Sequence, residues 1–381
     1  MEFVGGVARK VIMSFAKHGK GYLAHRTLYH IDRLYAWKHD LYFPPVTVEV
    51  NPTAICNQRC GYCYVAGRTK GKMDDALLLG VVGQLADAGV NGVVFQGSGE
   101  PLTHKALPDA IARASELGLA VSLTTNGVLL TPEIQDKILP HLTYVKISSV
   151  DSDPYRYANY HGCNVKQYES LIFNIQNMVR KRDEQGLNFL ILVTTYLFPD
   201  NFREAYRIVK FLRGLGVDRV SVQEPVYSEY SYDGQKPMTS SLFPEEEIER
   251  VRQEVMSLCT EDFSVVFRFP LNSLSFINGR CKKTWVNQWC QGIKFNALID
   301  TDGEVYLCFR YWGVREFSCG NVSKTSFSQI WKSERRKEMD AYTNITPPQG
   351  DECSICNVTK INEILRGIKD SDNYKWKDFL V

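Results

Sequence analysis

Between residues 45 and 225, short β-branched runs alternate with segments of helical period, and this alternation limits the chain to very few folds. Strands are expected at 46–50, 92–95, 120–124, 144–148, 189–194 and 220–223, with helices between them at 75–89, 106–118, 132–139, 168–185 and 201–215. Several of these helices run into Gly, as helix C-termini do. Six β-α units in series predict parallel strands joined by right-handed crossovers. A partial or complete barrel or an open doubly wound sheet satisfies that pattern, and each gathers its site at the carboxyl ends of the strands. The residues that follow each strand are therefore where chemistry is sought.

The rest of the chain divides around this block. Residues 1–44 set Lys and Arg among Tyr, Leu and Trp at roughly helical spacing, which reads as a helical extension, either a cap packed on the main domain or a basic surface for a partner. Residues 45–226 hold the β-α units. Residues 227–262 change to a Tyr, Ser, Gly and Pro linker followed by a helix at 244–258. Residues 263–381 are aromatic and Cys-rich, with short strands at 297–299 and 305–307, a turn at Asp302-Gly303 and a helix at 327–342, and read as a small second domain. A chain that is 44% hydrophobic can bury a sizeable core, and 45 basic against 43 acidic residues leave no field that would draw it to nucleic acid or an anionic membrane. No stretch approaches the roughly 20 apolar residues of a membrane span, and the amino terminus lacks a signal pattern, so a cytoplasmic address is expected.

Eleven cysteines in such a chain argue for metal or redox chemistry rather than a disulfide framework. Cys56, Cys60 and Cys63 form a Cx3Cx2C run directly after the first strand. Three thiolates on one loop can hold three irons of a cubane and leave the fourth iron open. Zinc would want a fourth ligand, and structural thiols are the third possibility.

This run, with Tyr62 before its last Cys, resembles the signature of the radical S-adenosylmethionine (SAM) superfamily. The resemblance continues at the next three strand ends. Gly97-Ser98-Gly99-Glu100-Pro101 is similar to the family's Gly-Gly-Glu-Pro segment, Thr125-Asn126-Gly127 to its Thr-Asn-Gly, and Lys146-Ile147-Ser148-Ser149-Val150-Asp151 to its Arg-Val-Ser-Leu-Asp, with either serine alignable. It implies a [4Fe-4S] cluster on the three cysteines whose open iron is chelated by SAM, and reductive cleavage to a 5'-deoxyadenosyl radical. It also implies SAM contacts from Tyr62, Gly97, Ser98, Gly99, Glu100, Thr125, Asn126, Ser148, Ser149 and Asp151. His161-Gly162 departs from the pattern, standing where an Arg-Gly pair is common.

Cys290, Cys308, Cys353 and Cys356 form a second set, read as Cx17C, a long gap and Cx2C, with Gly303 to Cys308 as a GxxxxC element. This resembles the SPASM and Twitch extensions of the same superfamily and implies a second, auxiliary [4Fe-4S] cluster; a zinc site on the same thiolates is the alternative. The expected fold class is accordingly α/β, a partial (β/α)6 TIM-like barrel followed by a small α+β Twitch/SPASM-like domain. Cys163, Cys259, Cys281 and Cys319 remain; each suits a small buried hydrophobe, while Cys281 and Cys319 could also serve as ligand or hydrogen donor. Gln223, Glu224 and Arg310 are weak candidates for substrate contact.

The activity the resemblance implies is hydrogen abstraction from a small sugar-like or aminocyclitol-like molecule, oxidising an alcohol as the aminocyclitol dehydrogenase type does, with a flavodoxin or ferredoxin as external electron donor. Dehydration or epimerisation of a sugar, or maturation of a ribosomally made peptide, are the enzymatic alternatives. A non-catalytic iron-sulfur or zinc scaffold is the remote one. Oligomeric state is not legible from the sequence.

Overall fold

Seven β-branched runs pair side by side in chain order: β1 (Thr47–Val50), β2 (Gly92–Phe95), β3 (Ala120–Thr125), β4 (Tyr144–Ile147), β5 (Leu190–Tyr196), β6 (Arg219–Gln223) and β7 (Ser264–Arg268). All six pairings are parallel. The computed structural model describes residues 29–148, 150–228, 230–234, 236–237, 239–269, 290–345, 356 and 358–370. Long helices cover the outer face, among them Asp75–Asp87, Leu107–Glu116, Val165–Gln185 and Ala205–Gly214. The first of these is started by Asp74, whose carboxylate accepts the N–H groups of Ala76 and Leu77.

The strand sequences divide by parity. Val48, Val50, Val121, Leu123, Val145, Ile147, Val220 and Val222 point outward and are fully buried beneath the helices. The alternate positions, among them Glu49, Lys146, Tyr196, Gln223 and Arg268, face the concave side and are only partly covered. Parallel strands buried on both faces are ordinarily apolar throughout. Glu49, Lys146, Gln223 and Arg268 therefore place charged and polar groups on the concave face, among the apolar Val94, Leu192 and Val266.

Two features extend the six-strand expectation. β7 lies in the segment read as the start of a second domain, yet it pairs with β6 from Arg219↔Ser264 to Gln223↔Arg268 and is a seventh barrel strand. At the other end, β8 (Asn296–Ile299) pairs in parallel with β1, and β9 (Val305–Tyr306) pairs antiparallel with β8. The single sheet thus runs β7-β6-β5-β4-β3-β2-β1-β8-β9, and the carboxyl-terminal hairpin continues the barrel wall.

The part of the amino-terminal extension that is described, the helix Ile31–Lys38, packs on the body. Arg33 donates to the carbonyls of Pro45 and Gly89, and Trp37 packs with Phe295 and Leu365. A helix absent from the sequence reading, Pro154–His161, follows β4, capped by Asp153 and ended by Gly162. The expected late helix is broken in two at Ser333, giving Phe327–Lys332 and Glu334–Ile345. Among the described residues no helix is long and apolar enough to cross a membrane.

Candidate active site

β1 leads into the loop that carries Cys56, Cys60 and Cys63. That loop sits on the carboxyl end of the helix Pro154–His161: Arg59 N–H donates to His161 O at 3.0 Å and Gly61 N–H to Tyr160 O at 3.1 Å. Helix ends leave carbonyls without intrahelical partners, and the loop supplies them. The three sulfurs feel one another electrostatically, and each is met by donors. N–H groups of Asn57 and Gln58 face Cys56, those of Val65 and Ala66 face Cys63, and Cys60 is met by the Tyr62 hydroxyl and by His161 Nδ1 at 3.3 Å. Burial raises the Cys60 and Cys63 thiols above their ordinary value, so thiolates there need a cationic partner.

Donors converging on three sulfurs suit thiolate ligands of a cluster. Among the described residues no three His, Cys, Asp or Glu side chains converge closely enough to hold one metal ion. A cubane places its thiolates on separate irons, whereas a single zinc draws all its sulfurs to about 2.3 Å. Three thiols on one loop, each met by hydrogen-bond donors, fit a cubane with three protein ligands.

The segment after β2 packs against this loop. Gly99 N–H donates to Thr53 O at 3.1 Å and Glu100 N–H to Ile55 O at 2.9 Å. A Cβ on Gly97 would fall 1.7 Å from Asn51 Oδ1, and one on Gly99 would fall 2.4 Å from Ile55 O, so only glycine permits the approach. Gly99→Ala is expected to push the cysteine loop outward, at about the 1–3 kcal/mol typical of overpacking. Equilibrium dialysis should then show SAM binding weakened by about tenfold or more; unchanged affinity would mean that the loop contacts are irrelevant to the cofactor.

Glu100 is 2% exposed and its carboxylate accepts the Thr125 hydroxyl at 2.6 Å, Asn126 N–H at 2.7 Å and Leu102 N–H at 3.1 Å. Asn126 in turn donates to Asn57 Oδ1 at 2.7 Å, tying the β3 end to the cysteine loop. Ser148 follows the inward parity of Tyr144 and Lys146, and its N–H donates to Thr125 O at 2.8 Å. Ser149 lies outside the described residues. Asp151 is 4% exposed and engaged within the protein: Arg156 grips both oxygens at 2.8 and 2.9 Å, and Asn201 and the Asp153 N–H each donate at 2.9 Å. Ser98 hydrogen-bonds Thr69 at 2.6 Å.

Of the weak candidates, Glu224 is fully buried and accepts from both the N–H and the hydroxyl of Ser240, bracing the segment after β6. Arg310 meets the loop after the first cysteines through its carbonyl, which accepts from Arg68. Cys319 lies in the main hydrophobic core at 3% exposure, and burial pushes its thiol up to about 12. In the second cysteine set, Cys290 is close enough to Cys308 to feel its charge, and its sulfur accepts from Asn362 Nδ2 at 3.5 Å. Cys356 stands just before the helix Val358–Asp370, which packs on the turn that follows Cys290. Cys353 and Cys281 lie outside the described residues.

Sequence reasoning missed the lumen. Glu49 accepts from Gln96 Nε2 at 2.5 Å, and burial raises its carboxyl above the usual range. Burial lowers Lys146, helped by the positive charge of Arg268, while Glu49 opposes that shift. Arg268 is itself lowered by burial and by Arg219. Tyr196, pushed up to about 12 chiefly by burial, reaches the Tyr62 ring at a centroid distance of 5.2 Å. A charge at every second place of Val-Glu-Val and Val-Lys-Ile was the signal available. His161 was noted only as a departure; it is 2% exposed, and burial pushes it down to about 3, so its ring is neutral near pH 7.

Compared with known proteins, the sequence matches the radical SAM superfamily over residues 50–212 and SPASM, an iron-sulfur cluster-binding domain, over residues 290–357. The chain carries a radical SAM domain followed by a SPASM domain. The SAM-binding [4Fe-4S] cluster, auxiliary iron-sulfur ligation and SAM are the cofactors of that architecture. The tungsten-containing aldehyde ferredoxin oxidoreductase cofactor-modifying protein of Pyrococcus furiosus is 25% identical over 350 residues, covering 82% of this chain and 89% of the relative. The Fe-coproporphyrin III synthase of Methanosarcina barkeri is 24% identical over 344 residues, covering 82% and 80%. In fold, this radical SAM and SPASM pair is similar to Streptococcus suis SuiB bound to precursor peptide SuiA, at TM-score 0.62 and 18% identity over 88% of this chain and 75% of that one.

Proposed function

We propose that this protein is a radical SAM maturase that removes a hydrogen atom from a carbon of a peptide substrate seated in the barrel lumen. When bound at Cys56, Cys60 and Cys63, the cluster supplies the electron that cleaves SAM to the 5'-deoxyadenosyl radical. The chain's own residues hold and shield that event. Gly97 and Gly99 let the β2 end close on the cysteine loop, Asn126 ties β3 to it, and Tyr62 covers it beside Tyr196 and Phe198. A one-electron protein such as a flavodoxin or ferredoxin serves as donor.

The observation that carries the peptide reading is the ionic lumen. Glu49, Lys146 and Arg268 offer both signs of charge on one concave face, which suits a polypeptide segment with its charged and amide groups better than an uncharged sugar. The likeness to a peptide-bound structure over 88% of this chain supports the same reading. A second reading, modification of a small organic cofactor, is supported by the Pyrococcus relative, which is matched over nearly its whole length.

Deuterium tracing separates these readings. The reduced, reconstituted protein is given SAM and a low-mass extract of cells grown in heavy water, and deuterium in the released 5'-deoxyadenosine is measured. Protease treatment of the extract should abolish the transfer. Transfer that survives protease would discard the peptide reading in favour of a cofactor or sugar, and 5'-deoxyadenosine with no deuterium from any fraction would leave neither supported.

A further inference from the structure

Cys60 differs from its two companions in what holds its sulfur. Cys56 and Cys63 are met by backbone N–H groups, which every sequence supplies. Cys60 is met by two side chains, His161 through Nδ1 at 3.3 Å and Tyr62 through its hydroxyl. The neighbours of His161 fix which ring nitrogen carries the hydrogen. Gln58 Nε2 donates to Tyr157 OH at 3.0 Å and to Gln167 Oε1 at 3.3 Å, which turns Gln58 Oε1 toward His161 Nδ1 at 3.0 Å. An amide oxygen only accepts, so Nδ1 bears the hydrogen, shared between Gln58 Oε1 and Cys60 Sγ. Nε2 carries no hydrogen and only accepts; the Tyr62 oxygen lies 3.3 Å from it, and the single hydroxyl hydrogen there is shared between Nε2 and Cys60 Sγ. The ring cannot swing away: it stacks on Tyr157 at 4.0 Å and 16°, and its own carbonyl accepts Arg59 N–H.

We infer that His161 is a positioning residue that donates its Nδ1–H to the Cys60 thiolate and thereby sets the reduction potential of the SAM-binding cluster above what the backbone donors alone would give. The inference rests on the assignment of that cluster to Cys56, Cys60 and Cys63. One electron from an external one-electron protein reduces the cluster, and the added negative charge is shared by the thiolate sulfurs. A hydrogen bond aimed at one sulfur stabilises the reduced form more than the oxidised form, which raises the potential. His161 keeps its hydrogen, and no bond to it forms or breaks.

The test is a redox titration of the reconstituted full chain followed by electron paramagnetic resonance, using the reduced signal that changes on adding SAM. H161F should shift the midpoint to more negative potential, so that the reduced fraction at the native midpoint falls severalfold; a tenfold change in the one-electron equilibrium is 59 mV. H161N, whose side-chain NH2 stands where Nδ1–H does, should return most of the shift. Equal shifts in H161F and H161N, or no shift with iron content intact, overturn the proposal. Should H161F fail to retain the first cluster, the native protein decides: labelled with [15N]histidine and reduced without SAM, it should show a weak nitrogen coupling to that cluster, and its absence overturns the proposal. Native protein that binds no iron at Cys56, Cys60 and Cys63 would instead remove the cluster assignment itself.

Discussion

With Cys56, Cys60 and Cys63 changed together to Ala, anaerobically reconstituted protein is expected to hold about four irons where the native chain holds about eight. It should release no 5'-deoxyadenosine on reduction. The loss should be local. The loop is seated through backbone groups of Arg59 and Gly61 and through Asn57, none of which needs a sulfur, so the circular dichroism of the variant should match that of the native chain. The remaining irons report on the second set, Cys290, Cys308, Cys353 and Cys356, where a single four-cysteine cluster is expected. About four irons with one zinc in the native chain would make the carboxyl-terminal site structural and deprive an oxidative reaction of its nearest electron acceptor.

Asp151→Ala is expected to destabilise the barrel by about 1.5–3 kcal/mol, because it removes the closer of the two carboxylates that Arg156 grips and leaves it only Glu204, at 3.1 Å. The same carboxylate also holds Asn201 and the start of the helix Pro154–His161. With both oxygens engaged inside the protein, SAM affinity of the folded variant should change by less than about threefold. Chemical unfolding and SAM binding measured on one preparation decide the matter. An unaltered unfolding midpoint with much weaker SAM binding would show that Asp151 contacts the cofactor directly, as its place in the Lys146–Asp151 segment suggested.

Particular residues show how far the sequence carried. The ends of β1 to β6 fall within two residues of expectation because β-branched runs report locally on extended backbone. The motifs that follow them, at Cys56, Gly97, Asn126 and Ser148, are brought around one loop, since parallel strands put all their carboxyl ends on the same side. Pairing between distant segments was not legible. Ser264–Arg268 is an aromatic, β-branched run that could have begun a second domain, and only its contact with β6 makes it barrel wall. The lumen escaped because Glu49 and Lys146 gain meaning only when their strands stand side by side. His161 escaped for a similar reason: nothing near it in sequence announces Gln58, Cys60 and Tyr62, about 100 residues earlier.

The pairing of β1 with β8 sets an order of events during synthesis. Asn51, at the end of β1, hydrogen-bonds Asp300, 249 residues later in the chain. Until that residue leaves the ribosome, β1 is an unpaired sheet edge, the kind of surface that recruits other chains. The cysteine loop at its tip is encoded among the first residues of the barrel and is enclosed among the last. A nascent chain that has already made Cys56, Cys60 and Cys63 therefore still lacks one flank of its cluster site, and iron delivered before the hairpin docks would meet an open and aggregation-prone edge. The flank of the cysteine loop is thus complete only once the carboxyl-terminal hairpin has docked on β1.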